Sequence, residues 1–176
     1  GVLKAGALAV PLNYRYTAEE IKYCLDLADC SLLVFGNEFV GRVDEIKGDM
    51  PKLSNLYYVG ASCPEWAQDY YPFMSYCSSR RPRIEITEED FAAIYFSSGT
   101  TGFPKAILHR HKSLTHAAET EQNHHGQKRG DCFLCMPPLY HTGAKMHWFG
   151  SLLSGSRAVL LRGISPEWIL KTATQE

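Results

Sequence analysis

Apolar residues in the first third of the chain follow a helical spacing and a strand-like spacing in turn. After Thr17, which forms a capping-box pattern with Glu20, apolar residues recur at helical spacing and predict a helix over about residues 18–28. Two apolar runs with the length of strands follow at 31–35 and 56–59, with a weaker helical pattern between them. This alternation predicts an α/β fold with parallel strand pairing.

The second half of the chain repeats the alternation, starting from a continuous apolar run at residues 91–96. Its aromatic and β-branched residues are typical of a strand that is buried on both faces. Further strands are predicted at 106–108, 132–136 and 158–161, and further helices at 113–125, 148–153 and from 165. The apolar face of the helix that Gly155 ends is expected to consist of Trp148, Phe149, Leu152 and Leu153. We therefore expect a largely parallel sheet with flanking helices.

Composition divides the chain into three segments. An α/β segment over residues 1–60 is followed by an irregular connector over 61–83 and by a second α/β segment over 84–176. The connector is rich in aromatic residues and ends in a basic run that contains Arg80, Arg81 and Arg83. These arginines either contact an anion or belong to a solvated loop, and their polar setting favours the loop.

The overall composition is that of an ordinary globular domain. The 176 residues are 45% apolar and 21% charged, with a formal net charge of −1. A charge so close to zero gives no reason to propose a nucleic acid or an anionic membrane as partner. The apolar runs are far shorter than the ~20 residues that a membrane span needs, and the first residues lack a signal-peptide pattern. We expect a cytoplasmic protein whose partners are small molecules.

Six cysteines are spaced irregularly, at positions 24, 30, 63, 77, 132 and 135. A chain of this size does not need disulfides, so free thiols are expected. A zinc site built from Cys132, Cys135, His141 and His147 is the alternative. The two cysteines lie three positions apart on a predicted strand and would face opposite ways, which argues against this site.

The stretch with the clearest chemical meaning follows the predicted strand at 91–96 and reads Ser97-Ser98-Gly99-Thr100-Thr101-Gly102-Phe103-Pro104-Lys105. Loops at strand ends are where α/β proteins bind ligands. The glycines let backbone N–H groups turn inward, the hydroxyls add donors, and Lys105 adds a positive charge, a combination that suits a polyphosphate. A solvated turn is the alternative. The order differs from the usual nucleotide loop, because Pro104 prevents direct continuation into a helix.

This loop resembles the signature loop of the adenylate-forming enzymes, the superfamily of acyl-CoA synthetases, aryl-CoA ligases, luciferases and peptide-synthetase adenylation domains. Two further stretches, at 1–13 and 138–143, agree with that family in order and spacing. One departure is Ala106, where the family usually has glycine. The resemblance covers nearly the whole chain except residues 61–83, and it identifies the chain as a central piece of the family's large N-terminal domain.

The resemblance implies an ATP-dependent acyl- or aryl-CoA ligase, as in fatty acid metabolism. Such an enzyme activates a carboxylic acid as its adenylate, releases pyrophosphate, and then forms a thioester with CoA. Amino-acid-activating members tend to carry Phe-Asp where this chain has His141-Thr142, which favours the CoA ligases. The family's later motifs have no match up to Glu176, so we expect the 176 residues alone to be inactive. The alternative is a non-catalytic nucleotide-binding or interaction module that retains the loop.

The resemblance also assigns site residues. The phosphates of ATP would be held by Ser97, Ser98, Gly99, Thr100, Thr101, Gly102 and Lys105. Lys105 would act as the catalytic cation while charge builds on the leaving pyrophosphate. Ser97 is also a candidate ligand of Mg²⁺, with simple closure of the strand as its alternative role. His141, expected at the end of a strand, would border the acyl pocket, and a purely structural histidine is the alternative.

Overall fold

A computed structural model describes residues 1–97, 102–161 and 163–175 of the chain. The chain divides into two compact units, each built from separated segments. The first unit contains Gly1–Pro11, Glu85–Tyr95 and Leu108–Glu176, and the second contains Leu12–Ile84 and Phe96–Ile107.

The second unit is built around a small parallel sheet. Its elements are α1 (Ala18–Leu27), β1 (Leu32–Gly36), α2 (Val40–Ile46), β2 (Asn55–Val59), β3 (Gln68–Asp69) and α3 (Tyr70–Tyr76). The strand order is β1-β2-β3 and both pairs are parallel, with Leu32 opposite Asn55 and Tyr57 opposite Gln68. The predicted parallel α/β arrangement is confirmed in this unit.

Helix α1 begins where the capping-box pattern predicts. The Thr17 hydroxyl accepts a hydrogen bond from the Glu20 N–H at 3.2 Å, and the Glu20 carboxylate accepts one from the Thr17 N–H at 2.8 Å. These bonds satisfy amide donors at the helix start that have no intrahelical partner. One face of α1 then contributes to a core formed by Ala18, Ile21, Leu25, Ile46, Met50 and Leu53.

The segment at 61–83, expected to be irregular, contains β3 and α3. Its aromatic residues pack on the sheet: Trp66 stacks on Phe35 with ring centroids 5.5 Å apart, and Phe73 lies 4.5 Å from Tyr57. The basic run at 80–83 is exposed. The aromatic composition therefore reflects packing against β1 and β2 rather than an unstructured linker.

The first unit holds most of the second half of the chain. The elements from here to the end are β4 (Phe91–Ser97), β5 (Lys105–Arg110), α4 (His111–His124), β6 (Cys132–Cys135), α5 (Thr142–Ser154), β7 (Arg157–Leu160) and α6 (Pro166–Gln175). Strand β4 pairs with β5, and β6 pairs in parallel with β7. The residues of β4 and β5 are divided between the two units. The strands and helices predicted for this half are confirmed, with shifted ends.

Strand β4 forms the centre of the core of the first unit. Its residues Ala92, Ala93 and Tyr95 are buried and pack with Leu114 of α4 and Met146 of α5. A bridge to residue 9 holds the other edge: the Ala9 N–H donates to the Ala92 carbonyl at 2.9 Å, and the Ala9 carbonyl accepts from the Ile94 N–H at 3.0 Å. The strand that leads into the predicted loop is therefore fixed on several sides.

The predicted apolar face of α5 is right for Trp148 and Phe149, which are half-buried, with Phe149 packed against the core, and wrong for the two leucines. Leu152 and Leu153 are 65% and 51% exposed, whereas Ser151 is fully buried, as is Gly150. A Cβ at Gly150 would come within 3.3 Å of the Ala118 carbonyl oxygen, so α5 approaches α4 closely at this point. Small residues favour that close approach, and the apolar periodicity of the sequence does not reveal it.

Helix α5 ends at Ser154, and Gly155 follows it with φ +68°, a left-handed conformation that favours glycine. The predicted end of this helix is confirmed. Among the described residues, no helix combines the length and the apolar character that crossing a membrane requires.

Candidate functional site

The candidate loop starts from a well-supported strand. Strand β4 ends at Ser97, whose side chain is half-buried. Ser98, Gly99, Thr100 and Thr101, which were expected to bind phosphate, lie outside the described residues. Three of the predicted phosphate-binding residues are among those described: Ser97, Gly102 and Lys105.

Gly102 adopts a backbone conformation that favours glycine, in agreement with the role expected of it in the loop. Its φ is +106°, in the region that residues with a Cβ rarely adopt. Nothing lies within 4 Å of a Cβ built there, so conformation, rather than lack of space, requires the glycine. This backbone turn directs the chain back towards β5.

Phe103 and Pro104 anchor the returning arm of the loop within the second unit. The ring of Phe103 lies 4.7 Å from the ring of Tyr23 on α1, and Pro104 is buried. Sequence reasoning did not predict the contact with Tyr23. The signal was an aromatic residue in an otherwise polar loop, but nothing in the sequence indicates which partner it finds.

Lys105 is the first residue of β5, and it is exposed. Within the described part of the chain, it forms no ion pair with a carboxylate. A lysine ammonium in such a position can interact with an anionic ligand as a mobile point charge.

His141 lies at the start of a helix rather than at the end of a strand. Strand β6 ends at Cys135, and His141 is the N-cap residue of α5, with its N–H donating to the Pro138 carbonyl at 3.0 Å. The side chain is exposed, and its ring lies 4.2 Å from that of Tyr140. The first turn of a helix favours negative charge, so a carboxylate would be stabilised beside His141. His141 belongs to the first unit, whereas Ser97, Gly102 and Lys105 belong to the second.

A buried lysine lies behind the strand that precedes the loop. Lys145 of α5 is only 7% exposed, and its ammonium lies 4.0 Å from the ring centroid of Tyr95. Burial lowers the pKa of Lys145 to about 8 and raises the pKa of Tyr95 to about 12. The ring of His109 lies 5.1 Å from that of Tyr95. Burial, and secondarily the Lys145 charge, lower the pKa of His109.

Sequence reasoning missed Lys145 because a single lysine beside Ala144 and Met146 reads as a polar position on a helix. All three residues are buried, since α5 presents this part of its surface to β4 and α4. The available signal was the absence of any other charged side chain in the helix.

The six cysteines are all free, as predicted. Cys132 is exposed and Cys135 is buried. Among the described residues, neither thiol belongs to a group of converging His, Cys, Asp or Glu ligand atoms. Burial is the main cause that raises the pKa of the Cys24 thiol to about 12. A thiol with so high a pKa is a poor nucleophile.

The chain matches the family model described as "AMP-binding enzyme" over residues 1–175. One curated relative is the 3-hydroxybenzoate--CoA/4-hydroxybenzoate--CoA ligase of Thauera aromatica, 28% identical over 169 residues that cover 96% of this chain and 32% of that protein. Another is the human mitochondrial acyl-coenzyme A synthetase ACSM2B, 28% identical over 179 residues that cover 98% of this chain and 30% of that protein. The chain thus spans about a third of the length of the curated relatives it matches.

Solved structures share the fold. The inhibitor-bound N-terminal domain of FACL13 from Mycobacterium tuberculosis has a TM-score of 0.84 at 24% identity, covering 96% of this chain and 41% of that chain. The anthranilate CoA ligase AuaEII in complex with anthranoyl-AMP has a TM-score of 0.83 at 23% identity, covering 97% of this chain and 33% of that chain.

Proposed function

This chain belongs to the family of AMP-binding enzymes, and we propose that the protein containing it is an ATP-dependent ligase that joins a carboxylic acid to CoA. The acid's carboxylate attacks the α-phosphate of ATP, pyrophosphate leaves, and the thiol of CoA then displaces AMP from the acyl-adenylate. One relative is named for hydroxybenzoates, which are aromatic acids, and another is named in part for medium- and long-chain fatty acids, which are aliphatic. The acid of this protein therefore comes from one of these two classes.

The main structural support for the proposal is the geometry of the loop between β4 and β5. A strand fixed in the core ends at Ser97, Gly102 takes a positive φ, and an exposed lysine follows at the start of β5. This order places a hydroxyl, a turn of backbone and a mobile cation along one short stretch of chain. Each hydrogen bond from such groups to a charged ligand contributes about 1.5–3 kcal/mol, so a few of them would hold a polyphosphate.

In this account, the loop residues bind the β- and γ-phosphates and stabilise the charge on the departing pyrophosphate. The residues concerned are Ser97, Ser98, Gly99, Thr100, Thr101, Gly102 and Lys105. Lys105 acts as the catalytic cation, since its charge offsets the charge of the leaving group.

Mg²⁺ would accompany ATP in this reaction. The Ser97 hydroxyl at the end of β4 offers the hard oxygen that this ion prefers, so the residue present fits the role of ligand. When bound, the ion would neutralise phosphate charge.

His141 would border the acid. Its exposed side chain precedes the first turn of α5, where unpaired backbone N–H groups favour a negative charge. We propose that His141 orients the carboxylate or closes the channel beside it.

The test uses the purified protein with ATP, Mg²⁺, CoA and a panel of aliphatic and aromatic acids. Pyrophosphate release should depend on the acid, and an acyl-CoA thioester should form only when CoA is present. A protein that binds ATP but releases no pyrophosphate with any acid would instead be the non-catalytic nucleotide-binding module. The 176 residues alone span about a third of the relatives, and we propose that they do not carry out the reaction without the rest of the enzyme.

A further inference from the structure

Two imidazoles and a carboxylate converge at one end of the helix pair α4 and α5. Glu121 belongs to the last turn of α4, His125 directly follows that helix, and His147 belongs to α5. Their ligand atoms all lie within 4.8 Å of one another, and they form the one such group of His, Cys, Asp or Glu in the described part of the chain. None of them is among the residues proposed to bind ATP or the acid.

Two of the three distances within this cluster match those of a tetrahedral metal site, and the third, between the two histidines, lies within 4.8 Å. The Glu121 carboxylate oxygen Oε2 lies 3.4 Å from His125 Nε2 and 3.2 Å from His147 Nε2. Two ligand atoms that are each ~2.0–2.1 Å from a tetrahedral ion are separated by about 3.3–3.4 Å. Binding of an ion would keep the two contacts of Glu121 near their present distances and would bring the two imidazole nitrogens to within about 3.3–3.4 Å of each other.

The fold already orients the three side chains. Glu121 and His125 lie four positions apart, so they project from the same side of the helix end. The ring of His147 stacks on Phe133 of β6, with centroids 4.9 Å apart and an interplanar angle of 27°. The rings of His125 and His147 lie 4.5 Å apart. Because the packing of α4 against α5 sets these positions, binding would require little ordering of the chain.

We propose that Glu121, His125 and His147 form a binding site for a divalent transition-metal ion of the zinc type. Two imidazole nitrogens and one carboxylate are a common ligand set for Zn²⁺, whereas Mg²⁺ prefers ligands that are all oxygen. His125 is exposed, so water can occupy the fourth position. A bound ion would link the end of α4 to α5.

A purely structural reading of the same geometry is a carboxylate that accepts hydrogen bonds from two imidazoles. The two readings differ in whether the protein takes up metal. The test is a titration with Zn²⁺ against a chromophoric chelator, on purified protein in which the exposed Cys77 and Cys132 are replaced by serine. Those substitutions remove the thiols that could bind the ion on the surface.

The protein with these two serine substitutions is the parent of the variants below. It should bind one Zn²⁺, and a large excess of Mg²⁺ should not displace the ion. Glu121→Gln and His125→Ala should each weaken Zn²⁺ binding by at least about 10- to 100-fold, because loss of a ligand costs no less than loss of a supporting contact. His116→Ala, an exposed histidine on the same helix, is the matched control and should bind as the parent does.

Co²⁺ provides a second readout, since its visible spectrum reports coordination geometry. A tetrahedral spectrum without a thiolate charge-transfer band should appear in the parent protein and disappear in His125→Ala. If the parent binds no Zn²⁺, or if both ligand variants bind it as tightly as the parent, the proposal is wrong. The exposed position of His125 makes its alanine variant the one least expected to disturb folding, and this test requires no ligase activity.

Discussion

At the scale of single residues, burial changes the chemistry of one lysine more than any neighbouring charge does. Burial removes most of the hydration of the Lys145 ammonium. A cation–π contact with the Tyr95 ring compensates for part of that loss. Burial penalises the ammonium and lowers the pKa of Lys145 from 10.5 to about 8. The protonated lysine therefore destabilises the folded chain relative to the unfolded one.

Replacing this lysine should change how stability depends on pH. The folded chain releases the Lys145 proton near pH 8 and the unfolded chain near 10.5, so the unfolded state binds more protons within that window. The penalty is fully present below about pH 8 and is relieved as the pH rises towards 10.5. Lys145→Met should therefore be more stable relative to the parent at neutral pH than at high pH.

Urea unfolding at about pH 7 and about pH 10 measures the free energy of unfolding of both proteins. The advantage of Lys145→Met over the parent should be smaller at about pH 10 by about 1–3 kcal/mol, after allowance for the lost contact with Tyr95. Lys171→Met, at an exposed position on α6, is the control. A Lys145→Met difference that stays the same at both pH values would contradict the burial argument.

His141 can be tested through the choice of acid. His141→Ala should change the relative kcat/KM for acids of increasing chain length by the equivalent of about 1–3 kcal/mol, because it enlarges and depolarises the proposed pocket. The measurement uses saturating ATP, with His116→Ala as the control. Equal relative efficiencies in variant and parent would leave His141 with a structural role only.

At the scale of elements, local signals in the sequence predicted helices with defined ends best. The capping box at Thr17 and the glycine at 155 are local patterns, and both helix ends lie where they indicate. Helix α3 was missed because residues 71–76 are all exposed and form no apolar stripe. Its start depends on a local contact instead, in which the Asp69 carboxylate accepts a hydrogen bond from the Tyr71 N–H at 3.1 Å.

Leu152 and Leu153 were assigned to the buried face of α5 wrongly, for a different reason. Periodicity ranks residues by hydrophobicity, whereas the closest part of the α4–α5 contact selects small side chains at Gly150 and Ser151. Contacts between distant parts of the chain, such as that of Phe103 with Tyr23, depend on the assembled fold. A pattern within one segment cannot reveal them.

The cap of α1 yields a prediction at this scale. Thr17→Ala removes the acceptor for the Glu20 N–H and should lower the free energy of unfolding by about 0.5–2 kcal/mol. Thr115→Ala, at an exposed position inside α4, is the matched control and should cost far less. Denaturant unfolding of the parent and the two variants measures these changes. Equal losses of free energy of unfolding in Thr17→Ala and Thr115→Ala would show that the cap does not stabilise α1.

At the scale of the whole molecule, the chain supplies a third of the length of its curated relatives and carries the loop on which the proposed reaction depends. The apolar run at 91–96 was enough to predict that a buried strand leads into this loop, because the strand and the loop follow each other directly along the chain. The acid's identity was not predictable, since an acyl pocket is built from side chains contributed by separate elements.

Acid-dependent exchange of labelled pyrophosphate into ATP by the purified full-length protein tests most directly whether this loop binds the phosphates of ATP. Lys105→Ala should lower kcat/KM for ATP by about 10- to 150-fold, the equivalent of a charged hydrogen bond, and leave KM for the acid nearly unchanged. Gly102→Val should do the same, because valine disfavours the φ of +106°. Lys128→Ala, at an exposed position, should exchange as the parent does. Unchanged kcat/KM for ATP in both loop variants would contradict the account.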